Sequence, residues 1–247
     1  MAPGQYWPDT DLFCAGNEET FIFLENVLTE VAEMFPGRFL HIGGDEADTR
    51  EWEKCPKCQK RMREEGISEA SKLQGYFTRR ISGILHKLNK RLVGWDEILD
   101  SDIDKDAVVM SWRGTSGGIA AARSGRDVVM CPASHLYFDH YQLDPATQPK
   151  AFESISPLSN VYSFDPVPGG LGEVEVKHVL GVQANLWTEY VPTSEHAEYM
   201  LLPRLAALAE IAWSPQEARE WSDFAERLPW LLERYSKMGL NHSKKWA

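Results

Sequence analysis

Five short apolar runs constrain the fold of this chain more than any other feature. They fall at 38–42, 91–95, 107–112, 127–131 and 180–187. Helical patterns lie between most of them. Residues 18–35 place Phe21, Leu24, Val27, Leu28 and Val31 on one face and stop at Pro36-Gly37. Residues 70–89 repeat Leu73, Phe77, Ile81, Ile84, Leu85 and Leu88, and 115–124 is helical in pattern too. Two further helices are expected over 195–212 and 217–238. Strands that alternate with helices form a parallel sheet with covered faces, so the fold class is α/β. Residues 1–17 read as loop. Residues 132–178 are rich in Pro, Gly and Ser, and a stretch this long carries function or small elements of its own. No repeat, low-complexity tract or linker divides the chain, and 1–247 reads as one domain.

The ends of the runs carry the chemistry. Phe39-Leu40-His41-Ile42 passes through Gly43-Gly44 into two adjacent acids, Asp45 and Glu46. Val93-Gly94 leads to Trp95-Asp96-Glu97, and Met110-Ser111 to Trp112-Arg113. The run at 127–131 leads to a loop with Tyr137 and Asp139, and the last run ends in Trp187-Thr188-Glu189. In α/β sheets the C-terminal strand edge is where ligands bind. Flat rings beside carboxylates suit a sugar, which has apolar C–H faces and a rim of hydroxyls. Adjacent residues of a regular strand point to opposite faces. Asp45 and Glu46 therefore reach one ligand only if the strand end is irregular, which two glycines permit. Read alone, HIGGDE also fits a strand end followed by a helix N-terminus, where acids offset the helix dipole. His41 fits either a partner of the acids or a core histidine.

Charge narrows the partners. Asp plus Glu number 37 against 26 Lys plus Arg, a net charge of −11, with no basic stripe. Nucleic acid is not expected as a partner. No apolar run reaches the ~18 residues of a membrane span. The opening MAPGQYWPDT lacks the charged and apolar regions of a signal peptide, and nothing in the composition selects a compartment. Cys55-Pro-Lys-Cys58 has zinc-ribbon spacing, but the sequence shows no second pair; a local loop or staple is expected over a redox dithiol, and no metal or cofactor is assigned.

With these residues in place, the chain resembles the catalytic domain of glycoside hydrolase family 20, the β-N-acetylhexosaminidases. The matching stretches are HIGGDE (41–46), VGWDEIL (93–99), VVMSWRG (108–114), the Tyr137–Asp139 loop, NLWTE (185–189) and LPRLAALAEIAW (202–213). The resemblance implies a (β/α)8 TIM barrel of which strand units four to eight are present. It implies removal of terminal, non-reducing β-linked GlcNAc or GalNAc with retention, through attack of the substrate's own acetamido oxygen and an oxazolinium intermediate. On the matching positions, Glu46 would be the general acid and base. Asp45 would hold the acetamido N–H, and Tyr137 would bond the acetamido oxygen. Trp95, Trp112 and Trp187 would enclose the sugar; Glu189 would bind its hydroxyls, and Asp139 would support the pocket. The family's sugar-gripping arginine and nearby histidine, on the first units, have no counterpart.

Five parallel strands cannot close an eight-stranded barrel. Open edges and an exposed apolar interior are expected; completion by further chain is favoured over completion by a second chain or a distorted open domain. Two other functions compete: a carbohydrate-binding fragment without full catalysis, and a metal-dependent hydrolase using His41, Asp45 and Glu46. The second is disfavoured because no multi-histidine set accompanies them.

Overall fold

The computed structural model describes residues 12–246. In chain order its elements are α1 (Glu18–Met34), β1 (Phe39–His41), α2 (Arg50–Lys54), α3 (Pro56–Glu64), α4 (Leu73–Lys87), β2 (Arg91–Trp95), β3 (Val108–Ser111), α5 (Ser116–Arg123) and β4 (Val128–Met130). There follow α6 (Ala133–Leu136), β5 (His140–Tyr141), β6 (Phe152–Ile155), α7 (Leu158–Ser163), α8 (Glu173–Val176), β7 (Val179–Val182), α9 (Ser194–Leu201), α10 (Arg204–Trp213) and α11 (Trp221–Lys237).

All five expected runs form one parallel sheet in the order β1-β2-β3-β4-β7, with registers such as Leu40 opposite Leu92, Trp95 opposite Met110 and Ser111 opposite Met130. Side chains alternate between the two faces. Leu92, Val109, Val128 and Met130 join the main core, with Leu73, Ile81, Ile84 and Leu85 of α4 and Ala121 and Ala122 of α5. Val93, Trp95, Val108, Met110 and Cys131 form a second cluster on the opposite face, with Trp112 and Val129 against it. That second face corrects the expectation of a bare interior. Val93, Val108, Met110 and Cys131 are buried because bulky side chains on adjacent strands cover one another.

The exposed apolar surface lies at the two sheet edges and on outer helices. Phe39 on β1 and Leu180 on β7 are about half exposed, as are Ile22 and Phe23 on α1. Trp213 at the end of α10 and Trp230 on α11 are 89% and 76% exposed. Val27, expected on the buried face of α1, is also exposed; that face is made by Thr20 and Phe21, with Leu24 and Leu28 against the core.

Three expectations change in detail. The helix expected over 195–212 is two helices, because Pro203 lacks the N–H that would continue the ladder. Residues 50–64 form α2 and α3, which no apolar periodicity announced. The last strand is shorter than 180–187. Leu180 bulges between Val179, opposite Val128, and Gly181, opposite Val129. Residues 183–187 then run beside the segment after α6: Asn185 donates its N–H to Leu136 O at 2.9 Å and accepts the Phe138 N–H at 2.7 Å. The loop expected over 1–17 lies outside the described residues up to position 11. None of the helices described is long and apolar enough to cross a membrane.

Candidate active site

At the C-terminal ends of the strands lies an open cleft of about 350 Å³, lined by Asp45, Glu46, Trp95, Trp112, Ala133, Tyr137, Asp139, His140, Phe152, Trp187 and Glu189. All eight residues singled out from the sequence are in this wall.

The acid pair arrives through an irregular strand end. Gly43 and Gly44 have φ of 75° and 101°, and Glu46 itself is left-handed at 47°. An L residue rarely adopts that conformation, so the turn is held by its surroundings. The Gly43 N–H donates to His41 Nδ1 at 3.0 Å, and the Gly44 carbonyl accepts from Gln74 Nε2 at 2.6 Å. At Gly44 a Cβ would lie 2.8 Å from Ile98 Cγ2, so a larger residue has neither the dihedral nor the space. The path breaks strand alternation and turns both acids to the cleft, where both are exposed.

The aromatic wall is built from three strand ends. Trp95 and Trp187 have ring centroids 6.1 Å apart, Tyr137 and Trp187 meet edge to face at 6.3 Å, and Trp112 stacks on Tyr137 at 6.1 Å with 17° between planes. Trp95 is braced from behind by His41 at 4.7 Å. His41 thus supports the turn and the wall and does not line the cleft. Trp112 is oriented by its indole N–H, which donates to both oxygens of Glu97 at 3.1 and 3.0 Å. Burial raises the Glu97 pKa, and Arg113, 3.6 Å away, opposes that rise. Asp96 is buried, does not line the cleft and accepts from Arg113 Nε at 3.2 Å.

The floor rests on Arg204. Its side chain, wholly buried on α10, donates to the carbonyls of His140 at 3.0 Å, Ser156 at 3.1 Å, Met200 at 2.6 Å and Phe138. These bonds hold the segment that presents Tyr137 and Asp139. Asp139 is itself buried, and its Oδ1 has no hydrogen-bond partner. Burial pushes its pKa up to about 6; the Glu189 charge adds to the rise and Arg204 opposes it. The Tyr137 hydroxyl is likewise raised, mainly by burial.

Sequence reasoning missed Ala133, His140 and Phe152 in the wall, and Glu97 and Arg204 behind it. Glu97 and Arg204 lie inside stretches quoted above, but their partners are set by packing. His41, Asp45 and Glu46 do not form one of the potential metal-ligand groups among the described residues. The Cys55–Cys58 pair lies elsewhere and is joined by Cys14.

Known proteins share the sequence family and fold of this chain. Residues 3–216 match the family model "Glycosyl hydrolase family 20, catalytic domain". A beta-hexosaminidase of Porphyromonas gingivalis is 46% identical over 235 residues, covering 95% of this chain and 30% of that protein. A Vibrio furnissii beta-hexosaminidase is 39% identical, covering 77% of this chain and 32% of that protein. The crystal structure of a Vibrio harveyi exo beta-N-acetylglucosaminidase in complex with N-acetylglucosamine superposes with a TM-score of 0.86 at 31% identity, covering 96% of this chain and 38% of that one. The chain thus spans about a third of the length of these relatives. On the family match, the shared fold and the identity to these enzymes, it belongs to glycosyl hydrolase family 20 and carries part of that family's catalytic domain.

Proposed function

We propose that the cleft hydrolyses terminal, non-reducing β-linked N-acetylhexosamine, GlcNAc or GalNAc, with retention. The observation that carries this reading is the convergence of four acids, Asp45 and Glu46 among them, and five aromatic rings on one open cleft at the strand ends. An open cleft lined this way takes one sugar ring end-on. Trp95, Trp112 and Trp187 receive its apolar face and its N-acetyl methyl.

The chemistry assigned to these residues has two steps. In the first, the acetamido oxygen of the sugar attacks its own anomeric carbon while the bond to the leaving oxygen breaks. Glu46 gives that oxygen its proton. Asp45 accepts the acetamido N–H and offsets the charge of the oxazolinium ring. The Tyr137 hydroxyl, protonated at neutral pH as any tyrosine is, donates to the acetamido oxygen. In the second step, Glu46, now a carboxylate, takes a proton from water, which attacks the anomeric carbon and reopens the ring. The two attacks on opposite faces retain the β configuration. Glu189 accepts sugar hydroxyls, and Asp139 keeps the wall in position.

The test is hydrolysis of a chromogenic aryl β-N-acetylglucosaminide by this chain, with Glu46→Gln alongside. General acid–base catalysis contributes about 10²–10⁴-fold, so the variant loses at least about 100-fold in turnover. Turnover that survives in Glu46→Gln refutes the assignment. A wild-type chain that binds GlcNAc but does not turn over selects the carbohydrate-binding reading.

A further inference from the structure

Away from the cleft, three of the four cysteines come together. Cys14 lies in the loop before α1, Cys55 immediately precedes α3, and Cys58 is in its first turn. Cys14 Sγ is 3.6 Å from Cys55 Sγ and 3.6 Å from Cys58 Sγ, and all three sulfurs lie within 4.8 Å of one another. None is in a disulfide. Thiolates bound to one tetrahedral zinc at about 2.3 Å would be about 3.8 Å apart. A disulfide would draw one pair together to about 2.0 Å and leave the third sulfur aside. Equal spacing from Cys14 to both partners fits a shared centre better than a pairwise bond.

Backbone donors approach two of the three sulfurs. The backbone N–H groups of Lys57 and Cys58 are directed at the Cys55 sulfur, and that of Gly16 at the Cys58 sulfur. Such bonds offset the negative charge that gathers when thiols become ligands. Gly16 presses directly on the Cys55–Cys58 turn: a Cβ there would sit 2.1 Å from the Lys57 carbonyl carbon and 2.4 Å from the Cys58 nitrogen. Trp52 Nε1 donates to Phe13 O at 3.0 Å and pins the same loop from the α2 side.

We propose that Cys14, Cys55 and Cys58 form a structural three-thiolate site for a soft d¹⁰ cation, Zn²⁺ first among them, with solvent as the fourth ligand. Cys14 and Cys55 are half-buried, so water reaches the open side. Binding forms three metal–sulfur bonds and releases the thiol protons to solvent, with no change of oxidation state. The ion ties the loop entering α1 to the α2–α3 corner, the segment that follows Asp45 and Glu46. Its role is to hold that corner, separately from the chemistry of the cleft.

The test uses the reduced full chain, freed of metal and then titrated with Co²⁺ and with Zn²⁺. One equivalent of Co²⁺ is expected to give thiolate-to-cobalt charge-transfer absorption in the near ultraviolet, which one equivalent of Zn²⁺ abolishes. Cys14→Ser is expected to lower zinc affinity at least 10-fold, while Cys131→Ser, which changes a buried cysteine elsewhere, leaves it unaltered. No cobalt–thiolate absorption from the unmodified chain overturns the proposal without recourse to any variant. So does a thiol titration of the denatured, unreduced chain that finds two of its four thiols missing, which would make the cluster a disulfide with a spare cysteine.

Discussion

Replacing Arg204 by methionine tests how the cleft is held. The guanidinium is buried without any exposed surface and donates to four main-chain carbonyls, those of Phe138, His140, Ser156 and Met200. It also lies 4.8 Å from the centre of the Phe138 ring. Methionine fills much of the same volume but offers no donor. Each buried carbonyl left without a partner costs about 1–3 kcal/mol. The low end applies, because the change also removes a charge whose burial is itself unfavourable. Four carbonyls at about 1 kcal/mol each give a loss of about 4 kcal/mol. For a chain of this size that lowers Tm by about 8–16 °C. Denaturant unfolding followed by tryptophan fluorescence measures it. Arg204→Lys should recover little, since one ammonium cannot span the carbonyls that the planar fork reaches. A loss below about 1 kcal/mol for Arg204→Met would show that the carbonyls find water or other partners, and that Arg204 is not what holds the Tyr137–Asp139 segment.

Other consequences follow from the same structure. Asp139 has an ordinary carboxyl pKa of 3.8 when unfolded and about 6 when folded, so the native state holds a proton that the unfolded state releases. Its contribution is fully present below pH 3.8 and is lost as pH rises through 6, about 3 kcal/mol in all. Asp139→Asn should therefore leave stability nearly unchanged at pH 4 and raise it at pH 7.5; an equal effect at both pH values in denaturant titrations would exclude a buried, proton-holding carboxyl. The half-exposed Phe39 and Leu180 on the two sheet edges, together with Trp213 and Trp230, predict that this chain alone self-associates. Sedimentation velocity that shows a monomer at micromolar concentration, with a cooperative melt, would count against that expectation.

The legible part of this protein is the part set by short-range pattern. Apolar runs of strand length between helical periods specify a parallel sheet, and β2 falls on 91–95 as expected. A residue at the C-terminal end of a parallel strand is carried to one edge whatever the loops do. Asp45, Trp95, Trp112 and Trp187 could thus be assigned to one cleft from position alone. The glycines announced the irregular turn that brings Glu46 beside them, because only an unusual backbone needs two in succession there.

What the tertiary structure decided was contact between distant segments. Tyr137 and Trp187 meet because the bulge at Leu180 shifts the last strand so that Asn185 pairs beside Tyr137, a register no local pattern encodes. Phe152 and His140 enter the wall from within the long 132–178 segment, where neither has a periodicity to place it. Arg204 reads as an ordinary surface residue of a helix until α10 packs against the carbonyls after α6. Cys14 stands 41 and 44 residues from its two partners, and only the close approach of Gly16 to the start of α3 joins them. Local sequence determines dihedrals and faces. Which faces meet is settled by packing of the whole chain, and at those meetings lie the site's supports and the thiolate cluster.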